Sequence, residues 1–290
     1  MGGVHQAIEG KNPDYNESDP VRDEFRKEWR NLFEESHNPS QQGVFQSIYQ
    51  TMVGFLVERL KPRQGVDLDY LKPLLNLSQE SLSIYSLNYD TVIERLCDEQ
   101  SRKLSIGVRG DGPLDLQEHI EFPESGVRLV KLHGSIDWWW VRYRRAFGLP
   151  QVRRLADGTL SDKWRMTKLN PALIFGQGNK LTVEGPFLEL LNFFHRDLEK
   201  HDQLIIVGYS FRDPHINHYL FPWFASGDNR ILVVGGSSFA TSTLPFVTEL
   251  HSFPSRLIDL QAQAKKGSGI HNAVIEAQSW ELGKNRTISN

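Results

Sequence analysis

The sequence predicts an α/β protein: an open parallel sheet flanked by helices, with a helical region ahead of it. Three observations carry this. Short apolar runs recur at Ser83 to Leu87, Val127 to Leu132, Leu204 to Val207 and Ile231 to Val234. The last two are continuous, as strands covered on both faces are. Stretches with helical periodicity stand between the runs. Each run also stops at small or polar residues: Asn88 and Asp90, His133 and Gly134, Gly208 and Ser210, Gly235 to Ser238.

Composition narrows the function classes. The 290 residues suffice for one large α/β domain or two small ones. Lys and Arg number 33 against 36 Asp and Glu, a net charge of -3, which supports no broad footprint for nucleic acid. Cys97 is the sole cysteine, so neither an intrachain disulfide nor a cysteine-rich zinc site can form. It stands on the apolar face of a helix and reads as a buried structural thiol. The start is polar and no apolar run approaches the roughly 18 residues of a membrane span. The expectation is a cytoplasmic protein with no membrane partner.

Each element follows in order. Residues 1–19 are a polar lead-in. A helix is expected over Val21 to Glu35, with Phe25, Trp29, Leu32 and Phe33 at helical spacing. A stronger one runs from Val44 to Leu60 and ends before Pro62, and a short helix covers Asp69 to Leu77. Residues 1–80 therefore read as a helical region packed on the core, and 81–290 as the α/β domain, the two forming one compact unit. The Ser83 strand leads through Asn88-Tyr89-Asp90 into a helix at Thr91 to Glu99. Residues 100–125, rich in Gly, Asp, Pro and Glu, read as a surface excursion. The Val127 strand ends at His133.

Asp137 to Arg145 holds Trp138-Trp139-Trp140 with Arg142, Arg144 and Arg145. Aromatic and basic residues together can stack nucleic acid. With no support from the overall charge, the expectation is an edge strand or hairpin with one buried Trp face. Gly148 to Pro171 reads as a loop-rich insertion, and Ala172 to Phe175 as a short strand closed by Gly176. An amphipathic helix is expected over Pro186 to Leu198. The Leu204 strand runs into Gly208-Tyr209-Ser210-Phe211-Arg212-Asp213-Pro214 and a helix at His215 to Phe224. After the Ile231 strand come a helix (Ser242 to Leu250), a strand (Arg256 to Leu260) and a last helix (Ile270 to Leu282).

The carboxyl ends of parallel strands share one edge, and ligands bind there. Gly208 and Ser210 just before a helix suit a phosphate, because glycine lets the backbone approach and the helix start offers N–H groups. Gly235-Gly236-Ser237 offers a second such turn. Together they mark a dinucleotide-sized site, without a G-x-G-x-x-G or P-loop signature. Within Val130-Lys131-Leu132-His133-Gly134-Ser135 alone, His133 is either a general base or a turn histidine satisfied by a backbone partner. His215 and His218 stand at i, i+3, but no carboxylate completes a metal spacing, and no metal is expected.

Ser86-Leu87-Asn88-Tyr89-Asp90, Lys131-Leu132-His133-Gly134-Ser135 and Ile205 to Pro214 occur in this order. The series resembles the sirtuin-like (silent information regulator two-like) family, specifically its zinc-free branch found in bacterial defence proteins. The resemblance implies a Rossmann-like sheet that takes NAD as substrate and cleaves its nicotinamide–ribose bond, in an antiphage-defence effector. It implies that Asn88 contacts the ribose and the attacking water, and that Asp90 lies near the nicotinamide carboxamide. His133 matches the catalytic histidine, followed by Gly134 and Ser135 on the cofactor. Gly208, Tyr209 and Ser210 match the phosphate-binding turn, Asp213 belongs to the same motif, and Gly235, Gly236 and Ser237 join the cofactor site.

Two departures bear on activity. Deacylating sirtuins carry a four-cysteine zinc module that this chain cannot build, which turns the reading from protein deacylation toward NAD hydrolysis. The family's opening strand with a Gly-Ala-Gly-x-Ser turn is not found; Met1-Gly2-Gly3 has no apolar strand before it. That keeps a second reading open, a weakly catalytic module that senses NAD or ADP-ribose. A third is an assembly scaffold built on the helical region. A homo-oligomer or a sensor partner is compatible with each.

Overall fold

The computed structural model describes residues 41–61, 65–108, 122–143, 151–155, 164–174, 185–226, 228–234, 247, 250, 257–259 and 270–279. The expected Val21 to Glu35 helix and the Gly235 to Ser238 turn lie outside these residues. Helix α1 (Gln41–Leu60) comes first. A 3-10 turn (Asp69–Leu71) then feeds the single-turn helix α2 (Lys72–Leu75), where Pro73 sits in the first turn, with no N–H to lose.

Among the described residues six strands are parallel. β1 (Ser81–Ser86), β2 (Leu104–Ser105) and β3 (Gly126–Lys131) form one block in the order β1-β3-β2. β7 (Gln203–Val207), β8 (Arg230–Val234) and β9 (Leu257–Asp259) form a second in the order β7-β8-β9. Helix α3 (Val92–Glu99) follows β1, α4 (Phe187–Leu198) precedes β7, and α5 (Pro214–Ala225) connects β7 to β8. Residues 270–279 are helix α6. This is the Rossmann-like α/β architecture that the strand pattern predicts.

Three further strands form an antiparallel sheet in the order β5-β4-β6: β4 (Gly134–Tyr143), β5 (Gln151–Arg154) and β6 (Trp164–Leu173). Of the edge strand or hairpin expected for the tryptophan stretch, the hairpin holds, since β4 and β5 pair antiparallel in succession, while β6 on the other side makes β4 the central strand. One expectation is corrected: Gly148 to Pro171 contains β5 and most of β6 rather than a loop-rich insertion. The alternation itself holds. Trp138 and Trp140 are buried on one face, where Phe187 of α4 packs at ring distances of 6.5 and 6.2 Å. Trp139, on the other face, lines a cleft with Asp137 and Arg154, whose side chains pair at 2.7 Å.

The core lies between these layers. Phe187, Leu190, Leu191, Phe194 and Leu198 of α4 are all buried, as their helical spacing requires. Each such side chain contributes about 1.5–3 kcal/mol when fully buried. A second cluster joins Leu71 and Leu75 to Leu96 and Cys97 of α3 and Val127 of β3. Burial pushes the Cys97 thiol up to about 11, so it stays a neutral packing group. Among the described residues no helix is long and apolar enough to cross a membrane.

Candidate functional site

The tip of β3 is fixed by backbone from two sheets. Leu132 N donates to Ser86 O at 3.0 Å, extending the β1 ladder by one residue. His133 O accepts from Ile174 N, just past β6, at 2.9 Å. Gly134 then opens β4 with φ +89°, and a Cβ there would stand 1.9 Å from Ala172 O. Only glycine allows β4 to start against β6 at that distance.

The His133 ring is held in turn. Its Nε2 lies 3.0 Å from Asp213 Oδ2, and both side chains are nearly buried, at 11% and 6% exposure. Asp213 is fixed by its own helix: it is the N-cap of α5, and its Oδ1 accepts from His215 N at 3.1 Å. The turn before it carries Phe211 at φ 57°, a left-handed conformation that costs a side-chain-bearing residue energy. Buried Phe211 and a 2.7 Å bond from Asn217 Nδ2 to Phe211 O hold it there. Tyr209 Oη lies 2.8 Å from Asn217 Oδ1 and 3.1 Å from Asp213 O. Burial, and then the Asp213 charge, push the Tyr209 phenol up, so it remains a protonated donor. A carboxylate only accepts. Nε2 therefore carries the proton, and a neutral ring keeps its lone pair on Nδ1.

The turn after β1 is braced from below. Asn88 is exposed, and its N–H donates to Ser86 Oγ at 3.1 Å. Tyr89 donates its hydroxyl to Ile174 O at 2.6 Å and accepts from Ile136 N at 3.0 Å. Asp90 Oδ1 accepts from Val92 N at 3.0 Å at the entry to α3, while its carbonyl accepts from Lys131 Nζ. Lys131 is fully buried and pairs with Glu94 Oε1 at 3.3 Å. Burial raises the Glu94 carboxyl, and the Lys131 charge opposes that rise.

A cleft of about 190 Å³ opens between the end of β1 with its turn (Tyr85 to Asn88) and β7 with its turn (Leu204 to Tyr209). Leu132 and Phe194 are among its walls. Asn88, Gly208 and Tyr209 thus meet in one cleft, beside the residue that precedes His133. Ser210 is exposed next to it. Gly208 has φ +67° and open space around it, so its backbone is approachable.

Other expected site residues face inward. Asp90 caps a helix entry, Gly134 serves a close backbone approach, and Ser135 is fully buried with its Oγ 3.4 Å from Tyr89 O. Asp213 is bound to His133 and to its own helix start. A phosphate at the start of α5 would meet that carboxylate, which leaves the exposed Gly208-Tyr209-Ser210 backbone as the anion-facing surface. Gly235, Gly236 and Ser237 lie outside the described residues. His218 packs on Tyr219 at 5.3 Å, and no metal-holding cluster of three or more His, Cys, Asp or Glu occurs among the described residues. Sequence reasoning missed Lys131 and Tyr89 as supports. Their signal was a lysine at the end of a buried apolar run and an aromatic inside a polar turn.

No curated protein matches the chain. The SIR2-like domain family matches residues 82–238, more than half of the chain, from β1 to just past β8. Members of this family are NAD-dependent enzymes, and NAD-related activity is what the match carries. With the strand-tip histidine and the Gly208 turn on one edge of its parallel strands, the chain belongs to the SIR2-like family.

Proposed function

We propose that the protein is an NAD+ glycohydrolase. Water attacks the ribose carbon, the carbon–nitrogen bond breaks with its electron pair going to the nicotinamide ring, and nicotinamide, ADP-ribose and one proton are released. The observation that carries this reading is the His133–Asp213 pair at the strand tips, next to the cleft that holds Asn88, Gly208 and Tyr209.

The residues suit the ribose and nicotinamide end of the substrate. Polar Asn88 stands over an apolar wall that includes Leu87 and Leu132. In this reading Asn88 holds the ribose and the attacking water. His133 takes a proton through Nδ1 from that water or from a ribose hydroxyl. Asp213 fixes the ring and stabilises the imidazolium that forms, as the carboxylate of a serine-protease triad does. The Gly208-Tyr209-Ser210 backbone faces the diphosphate, with Gly235 to Ser237 as a second turn. Cleavage passes through an oxocarbenium-like state, which asks for positioning and shielding more than for a strong nucleophile.

We assign the chain to the zinc-free, defence-effector branch of the family, acting in the cytoplasm, with residues before 81 as a helical cover on the core. The sole cysteine supports the zinc-free part of this assignment, because a four-cysteine module cannot form. A second reading has one observation in its favour. The sequence carries no Gly-Ala-Gly-x-Ser turn for the diphosphate, which suits a module that binds NAD or ADP-ribose without turnover. Chromatography of NAD incubated with the chain decides between them. Nicotinamide and ADP-ribose in equal amounts support the hydrolase. A rise in melting temperature with NAD and no product supports the sensor.

A further inference from the structure

Six residues, Gly208 to Asp213, join β7 to α5 and carry the Asp213 carboxylate to the His133 ring. Backbone holds both ends of this turn. Gly208 N donates to Val234 O of β8 at 2.9 Å, and Asn217 N donates to Asp213 O at 3.0 Å as α5 begins. The middle of the turn is irregular. Phe211 stands at φ 57°, a conformation that persists only where the surroundings impose it.

The Asn217 side chain, fourth in α5 and half-buried, reaches into this turn. Its Nδ2 donates to Phe211 O at 2.7 Å, and its Oδ1 lies 2.8 Å from Tyr209 Oη. The partners fix which way the amide faces. A carbonyl only accepts, so the nitrogen meets Phe211 O and the oxygen takes the Tyr209 proton. Tyr209 Oη is also 3.1 Å from Asp213 O, and its ring packs on Phe211 at 4.8 Å. One amide thus ties residues 209, 211 and 213 together.

The tie reaches the histidine. Asp213 is extended at φ -95° and ψ 105°, so the aim of its carboxylate follows the chain that delivers it. A Phe211 released from the left-handed region would re-aim that chain two residues earlier. The 3.0 Å contact between Asp213 Oδ2 and His133 Nε2 does not survive a shift of about 1 Å. We propose that Asn217 is a positioning residue for His133: through the Phe211 carbonyl and Asp213 it holds the imidazole in place at the strand tip. The geometry is independent of the reaction, and only the kinetic arm of the test rests on the hydrolase reading above.

The test compares the wild-type chain with Asn217→Asp, which keeps the shape and the acceptor but loses the donor to Phe211 O, and with Asn217→Ser, which is too short for either bond. The first readout needs no substrate. The His133 Nε2 proton, held against Asp213, should give a low-field imidazole N–H resonance that His133→Ala lacks. It is expected in the wild type and lost to water exchange in both Asn217 variants, while the amide resonances of β3 and β8 stay in place. The second readout is nicotinamide release. In Asn217→Asp kcat should fall by up to about 100-fold, the cost of a misplacement of about 1 Å, with KM moved less. Added to Asp213→Asn, the same change should cost nothing further, because both act on one contact. A wild type without the resonance, a resonance unchanged in both variants, or losses that multiply in the double variant overturns the proposal. So does loss of the β3 and β8 resonances in both variants, because Asn217 then holds the fold at large. A wild type that shows the resonance but releases no nicotinamide removes the hydrolase reading, and the resonance alone then decides the role of Asn217.

Discussion

His133 is placed by its backbone before its ring is placed by Asp213. The separate roles of Asp213 can be pulled apart, because asparagine caps a helix about as well as aspartate but offers the imidazole no charge. Asp213→Asn is expected to change stability by under about 1 kcal/mol. It should cut nicotinamide release by up to about 10⁴-fold, the loss seen when the carboxylate that orients a triad histidine becomes an amide, with KM moved less than kcat. Initial rates across NAD concentrations check this, and a wild-type kcat would mean that the pair is not used. Gly134→Ala acts on the fold instead. A residue with a side chain at φ +89° costs about 1–3 kcal/mol before the clash with Ala172 O is added, and thermal unfolding should show at least that loss. The strand-tip histidine was legible because the apolar run stops at it. The role of Asp213 was not, since its partner lies on a different block of strands.

At the scale of elements, buried polar pairs tie helices to strands. Lys131 joins β3 to α3 through Glu94 and to the Asn88 turn through the Asp90 carbonyl. Lys131→Met leaves a buried carboxylate unpaired and should cost about 3–5 kcal/mol in denaturant unfolding at pH 7. Adding Glu94→Gln should recover much of that loss, and a double variant no more stable than the single one would count against the pairing. Tyr85 and Asp197 join β1 to α4. Burial works against the Asp197 charge, but the Tyr85 hydrogen bond, with Arg128 and His201 nearby, holds its carboxyl below the ordinary 3.8. A depressed carboxyl stabilises the fold above its unfolded pKa and loses that contribution as pH falls through the folded one. Tyr85→Phe should therefore cost about 1.5–3 kcal/mol above pH 4 or so, and the gap to wild type should narrow on acidification below it. A constant gap from pH 3 to pH 7 would contradict this.

The tryptophan strand marks where element reading stopped. Its period of two was plain, and Trp138 and Trp140 do share the buried face. Its central place was hidden, because the partner strand Trp164–Leu173 loses its alternation at Thr167-Lys168 and contains Pro171. Such a stretch reads as loop until a neighbouring strand supplies its ladder.

For the whole molecule, the alternation of apolar runs and amphipathic helices was enough to read a Rossmann-like α/β chain, and the three motifs in series were enough to place it among SIR2-like proteins. The grouping of the described parallel strands into two blocks was not readable, since ladders join segments far apart in sequence. The central claim concerns what the assembled edge does. NAD incubated with the purified chain, beside His133→Ala, tests it most directly. The account predicts nicotinamide and ADP-ribose from the wild type and a loss of about 10²–10⁴-fold in the variant, the range a general base contributes. The same null rate from both proteins in every assembly state, or equal turnover by both, would contradict it.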